Sequence, residues 1–211
     1  MLRQIVIKMP TYVVAIQPED KLFKKIKKIK QQVKNIVGDQ DYLRDDPHLT
    51  LYIGEFTNFR KWDNEFTEFV KELKVIKSEL AGWYIFDKDP ITGKKTICVE
   101  IIKDKKLSEI QKKIIKLLSS YRKNNIPQRY KKVYTNLKPI FKKNIDKFGF
   151  PFVGSIWIPH LNVASFTNNA FDDVWEFLKS KKLTGEYILQ KIVIYELKQE
   201  KIEEVKVFPL I

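Results

Sequence analysis

Two histidines stand in this chain of 211 residues, and each sits in a matching tetrapeptide, Pro47-His48-Leu49-Thr50 and Pro159-His160-Leu161-Asn162. Imidazole is the side chain best suited to hold or release a proton near neutral pH, so a pair of them can act as base and acid in one reaction. Proline is 9 of 211 residues, which makes its presence before both histidines improbable by composition alone. On a strand, residues i and i+2 share a face. His48 therefore projects beside Thr50, and His160 beside Asn162, each imidazole next to a short hydrogen-bonding group. A lone histidine on an apolar strand is usually structural, but two in matching tetrapeptides on matching strands favour a site. Zinc is the weaker reading, because it needs a third ligand and Asp45 and Asp46 show no recognised metal spacing.

The elements around these motifs fall into two similar runs. Residues 11–17 read as a strand, and Pro18-Glu19-Asp20 opens a helix whose Leu22, Ile26, Ile29, Val33 and Ile36 keep a 3.6 period, with lysines on the other face. Residues 48–53 form a strand, Trp62 to Ile76 marks a second helix, and 80–86 is a strand that turns through Asp89-Pro90-Ile91-Thr92-Gly93 into the strand 96–102. A helix then carries Leu107, Ile110, Ile114, Leu117 and Tyr121, followed by a strand over 155–164, a helix over 170–181 and strands over 187–197 and 203–208. Residues 11–87 and 96–197 are thus each β-α-β-α-β, with a histidine on the middle strand. The expected fold is α+β, one domain over 1–211 with two pseudo-symmetric lobes of antiparallel sheet, outer helices and a central cleft. The first lobe covers about 11–87 and the second about 96–197. The second carries an insertion over 124–154, and a hairpin over 187–210 closes the chain.

The resemblance lies in these same residues. His48-Leu49-Thr50-Leu51, the second H-x-polar motif, the opening Tyr12-Val13-Val14-Ala15-Ile16 and the closing Ile192–Leu197 and Val205–Leu210 together resemble the two-histidine phosphoesterase superfamily. That superfamily includes 2′-5′ RNA ligase-like proteins and 2′,3′-cyclic nucleotide phosphodiesterases. The resemblance implies hydrolysis of RNA-derived 2′,3′-cyclic phosphate or 2′-5′ linked substrates, with His48 and His160 catalytic, no metal and no cofactor. Thr50 and Asn162 would hold the phosphate. Asn162 departs from the usual Thr or Ser of the second motif, so an RNA- or nucleotide-binding module with weak chemistry is the alternative. Tyr52 and Phe166, counted along the strands, fall on the histidine faces and are candidates to stack on a base.

Charge points the same way. The net charge is +14; residues 21–34 hold seven lysines and no acid, and residues 122–147 hold nine Lys/Arg against Asp146 alone. Concentrated positive charge favours polyanions such as RNA. In the insertion, Arg129, Lys131, Lys132, Lys142 and Lys143 interleave with Tyr130, Tyr134, Phe141, Phe148 and Phe150, a mixture that can neutralise phosphates and stack bases; a helix packing its aromatics on the body is the plainer reading. The only cysteine, Cys98, lies in an apolar run and reads as a buried hydrophobe. No segment is apolar enough to span a membrane and no signal peptide is evident, so a cytoplasmic monomer without membrane attachment is expected.

Overall fold

The computed structural model describes residues 9–122, 125–198 and 201–211. Seven strands make one antiparallel sheet: β1 (Thr11–Pro18), β2 (Leu49–Glu55), β3 (Ile76–Phe86), β4 (Lys95–Ile101), β5 (His160–Phe166), β6 (Gly185–Lys198) and β7 (Lys201–Pro209). Their order is β1-β2-β5-β4-β3-β6-β7, and β1 also pairs with β6. The ladder therefore closes on itself: β1, β2, β5, β4, β3 and β6 form a ring, with β7 on the outer part of β6.

Five α-helices are described: α1 (Asp20–Val37), α2 (Asp63–Lys71), α3 (Lys105–Ser119), α4 (Pro139–Phe148) and α5 (Asn168–Lys179). They pack outside the ring. α1 lies against β5, β1 and α5, and α3 lies against β2. Trp62 and Phe66 of the α2 region meet Tyr12 and Phe208 edge-on. Each helix buries the apolar stripe that its 3.6 period predicts. α1 deviates at two places: Ile36 is 44% exposed, and Lys30, on a helix of solvent-facing lysines, is buried at 3%. One apolar cluster runs from Tyr12 to Leu210.

Strand pairing regroups the lobes expected from chain order. β3 pairs with β4 (Trp83↔Val99), so it joins the half that holds β5. β6 pairs with β1 over 189–197 and so joins the half that holds β2. The length of β6, 14 residues, makes this possible. One of its edges takes β1, while the other takes β3 over 185–189 and then β7 over 191–198. Local boundaries also shift: residues 154–156 form a 3-10 turn, and the strand expected over 155–164 begins only at His160.

Candidate active site

β2 and β5 meet at a single pair, Leu49↔Leu161, the residues that follow the two histidines. Because the strands run antiparallel through that pair, their neighbours face one another crosswise, His48 toward Asn162 and Thr50 toward His160. Both leucines are buried in the core, while His48, Thr50, His160 and Asn162 are half-buried on the inner face of the ring. The structure thus brings together the four groups expected from the motifs.

Tyr52 and Phe166 are not part of this group. Along β1, Ala15 pairs with Thr50 and the adjacent Val14 with Tyr52, which leaves Leu51 without an opposite number. Along β4, Cys98 pairs with Asn162 and Ile97 with Ala164, which leaves Val163 unpaired. Each is a β-bulge, and each inverts the alternation of side chains immediately after the motif. Tyr52 therefore turns to the helix side, where it is fully buried and its hydroxyl donates to the Phe148 carbonyl at 2.5 Å. Phe166 turns into the core against Phe171. Neither can stack on a substrate. The first bulge is stabilised from α3, where the buried Gln111 amide donates to the Leu51 carbonyl at 3.2 Å.

Both imidazoles are held in one way. His48 Nδ1 lies 2.7 Å from the Asp46 carbonyl, and His160 Nδ1 lies 2.7 Å from the Ile158 carbonyl, two residues back in each case. A carbonyl only accepts, so each Nδ1 carries the proton and each Nε2 is left free to exchange one. The loop behind each histidine is gathered by a lysine. Lys30 Nζ donates to the carbonyls of Tyr42 (2.7 Å) and Asp45 (2.8 Å), and Lys103 Nζ to those of Ser155 and Trp157, both at 2.8 Å. Asp45 and Trp157 each stand three residues before their histidine, so the arrangement is repeated by the pseudo-two-fold axis. Sequence reasoning missed both lysines because they are surrounded by many others; their i−3 relation to the histidines appears only in three dimensions.

Aromatic walls complete the symmetry. Tyr195 of β6 packs on His48 (ring centroids 5.6 Å apart), and Phe86 of β3 packs edge-on against His160 (5.1 Å). Gln17 donates to the Tyr195 hydroxyl at 2.7 Å. On the same face, Asp89 accepts from Thr96 (2.9 Å) and Tyr42 (3.2 Å), and Thr96 reaches Ser165 at 2.8 Å.

Burial pushes the His48 imidazole down to about 4; its bond to the Asp46 carbonyl opposes this, while Lys30 and His160 add to it. Burial also lowers His160, but the Ile158 carbonyl, the Asp89 carboxylate and Asn162 all act to keep it protonated. Desolvation disfavours the imidazolium at both sites, and nearby charges separate the two. Lys30 is itself lowered to about 8 by its burial. Asn162 Oδ1 is enclosed and accepts no hydrogen bond from the described residues. Among these residues no group of three or more His, Cys, Asp or Glu side chains could hold a metal ion.

The insertion packs rather than presents its aromatics. Tyr130 and Phe150 are in the core, Phe141 and Phe150 meet Phe152, and Tyr134 donates to Asp146. Lys142 bonds the Thr135 carbonyl, while Lys131, Lys132 and Lys143 are exposed and Arg129 is half-buried. No described helix is long and apolar enough to cross a membrane.

Ring, outer helices and mirrored histidine strands together define the two-histidine phosphoesterase-like fold, which this chain has. Among solved structures, TT0787 of Thermus thermophilus aligns over 95% of this chain and 97% of its own, at 11% identity and a TM-score of 0.57. A phosphoesterase aligns over 96% and 99% at 10% identity and a TM-score of 0.52. LigT of E. coli, solved with NADP+, aligns over 96% and 98% at 10% identity and a TM-score of 0.50. No family model matches the chain, and no curated protein matches it.

Proposed function

We propose that this protein is a phosphodiesterase that opens RNA-derived 2′,3′-cyclic phosphates or 2′-5′ linkages by acid–base catalysis between His48 and His160. The mirrored histidine geometry carries the reading. Both Nδ1 atoms are committed to carbonyls, so both Nε2 atoms are available on one inner face, with Thr50 and Asn162 set crosswise between them. In-line displacement at phosphorus needs a base on the entering side and an acid on the leaving side. His48, next to the Lys30 ammonium, is neutral at pH 7 and acts as base toward water or a ribose hydroxyl. His160, beside Asp89, is the better proton holder and protonates the leaving oxygen. Thr50 and the Asn162 amide donate to the non-bridging oxygens as charge shifts in the transition state. Tyr195 and Phe86 wall the two ends, and the nucleotide complex of LigT is in keeping with a nucleotide in such a cleft.

The test is turnover of nucleoside 2′,3′-cyclic phosphates and 2′-5′ linked dinucleotides, with EDTA present and the phosphate position on the product determined. His48→Ala and His160→Ala should each lower kcat by ~10²–10⁴, and the double variant should be little worse than either. Near wild-type turnover in either single variant would reject the pair.

A further inference from the structure

A second positively charged feature lies away from the histidines, on the outer surface. Lys25, Lys28, Ile29 and Gln32 of α1 meet Lys181, Lys182 and Leu183, from the link between α5 and β6, around a groove of about 340 Å³. Ile29 and Leu183 form a buried floor, and the four lysines rim it from two separate segments. Their neighbours Lys27 and Lys34 are ion-paired to Asp46 and Asp39, but among the described residues none of the four rim lysines has a carboxylate partner. Lys181 also lies over the Phe177 ring, its ammonium 4.2 Å from the centroid. The groove between α2 and α3 makes a contrast: there Lys74, Lys106 and Lys113 share the lining with Glu72 and Glu109.

Four lysines without carboxylate partners around one groove lower their mutual repulsion by binding a polyanion, and each phosphate contact releases condensed counterions. A membrane surface is the poorer match, because an interfacial helix needs exposed apolar anchors and none of the residues lining the groove is one. We propose that this groove is a docking site for the phosphodiester backbone of single-stranded RNA, separate from the catalytic cleft. The choice of RNA among polyanions rests on the reaction proposed above. α1 backs β5, so the groove lies behind the strand that carries His160.

The probe is a fluorescein-labelled 12-nucleotide RNA with ordinary 3′-5′ linkages and a free 3′-hydroxyl, followed by anisotropy between 50 and 200 mM NaCl with the full chain. Single-strand binding loses about 0.7 in log–log salt slope per phosphate contact removed. Lys25→Gln/Lys28→Gln and Lys181→Gln/Lys182→Gln should each flatten the slope by about 1.4, and the four together by about 3. Lys74→Gln/Lys106→Gln/Lys113→Gln should leave it unchanged. An unchanged slope in the fourfold variant, or an equal loss in the control, overturns the groove. So does a fourfold variant that loses sedimentation with phosphatidylserine vesicles yet keeps its RNA affinity. The probe holds no bond that the proposed chemistry opens. Absent cyclic-phosphate turnover with the expected slopes therefore rejects the reaction alone, and flat slopes with intact turnover reject the groove alone.

Discussion

His48 and Lys30 form the pair in which charge and geometry are most closely tied. The Lys30 ammonium fixes the Tyr42 and Asp45 carbonyls behind His48 and also disfavours the imidazolium. Lys30→Met removes both effects, so the low-pH limb of kcat/KM should move to higher pH and kcat should fall as the loop slackens. On the other side, Asp89→Asn removes a carboxylate that favours protonated His160, so the high-pH limb should move to lower pH. In the wild type that limb should already lie below the ordinary histidine value of 6.5. A full pH profile of the two variants checks this; limbs that stay in place would remove Lys30 and Asp89 from the tuning of the pair.

At the level of the strands, the bulges after Thr50 and Asn162 decide which side chains reach the site. Tyr52→Phe should leave turnover intact and cost about 1 kcal/mol of stability from the lost bond to Phe148. Phe166→Ala should cost ~3–5 kcal/mol, as for any large core aromatic. Urea unfolding together with cyclic-phosphate kinetics separates stability from function, and a specific rise in KM for Tyr52→Phe would return that residue to the histidine face. Much of this architecture was legible in the chain: the order of strands and helices follows from periodicity, and the histidine strands from their tetrapeptides. The bulges were not. Leu51 and Val163 are ordinary strand residues, and only pairing to β1 and β4 reveals that the alternation breaks there. Tyr195 and Phe86 reach the histidines from strands distant in sequence, so no local pattern marks them. The lobe boundaries escaped for a related reason, since nothing in residues 185–198 shows that one strand serves two partners along the same edge.

For the molecule as a whole, the desolvated His48 imidazole sets an acid limit. The unfolded chain takes up a proton at His48 as pH falls through 6.5, whereas the folded chain does so only near 4. Stability from this group is therefore complete above pH 6.5 and is lost progressively down to about 4. Melting temperature should drop over that window, and by less in His48→Gln; equal losses in the two proteins would count against a desolvated His48. The closed ladder sets a second limit, a mechanical one. The ring of strands is a hoop with seams of unequal strength: β3 and β6 are joined by five residue pairs, β2 and β5 by the single rung Leu49–Leu161. Under load such a hoop parts at its thinnest weld, and here that weld lies between the two histidine strands. The joint that aligns the two histidines is also the one most easily prised open.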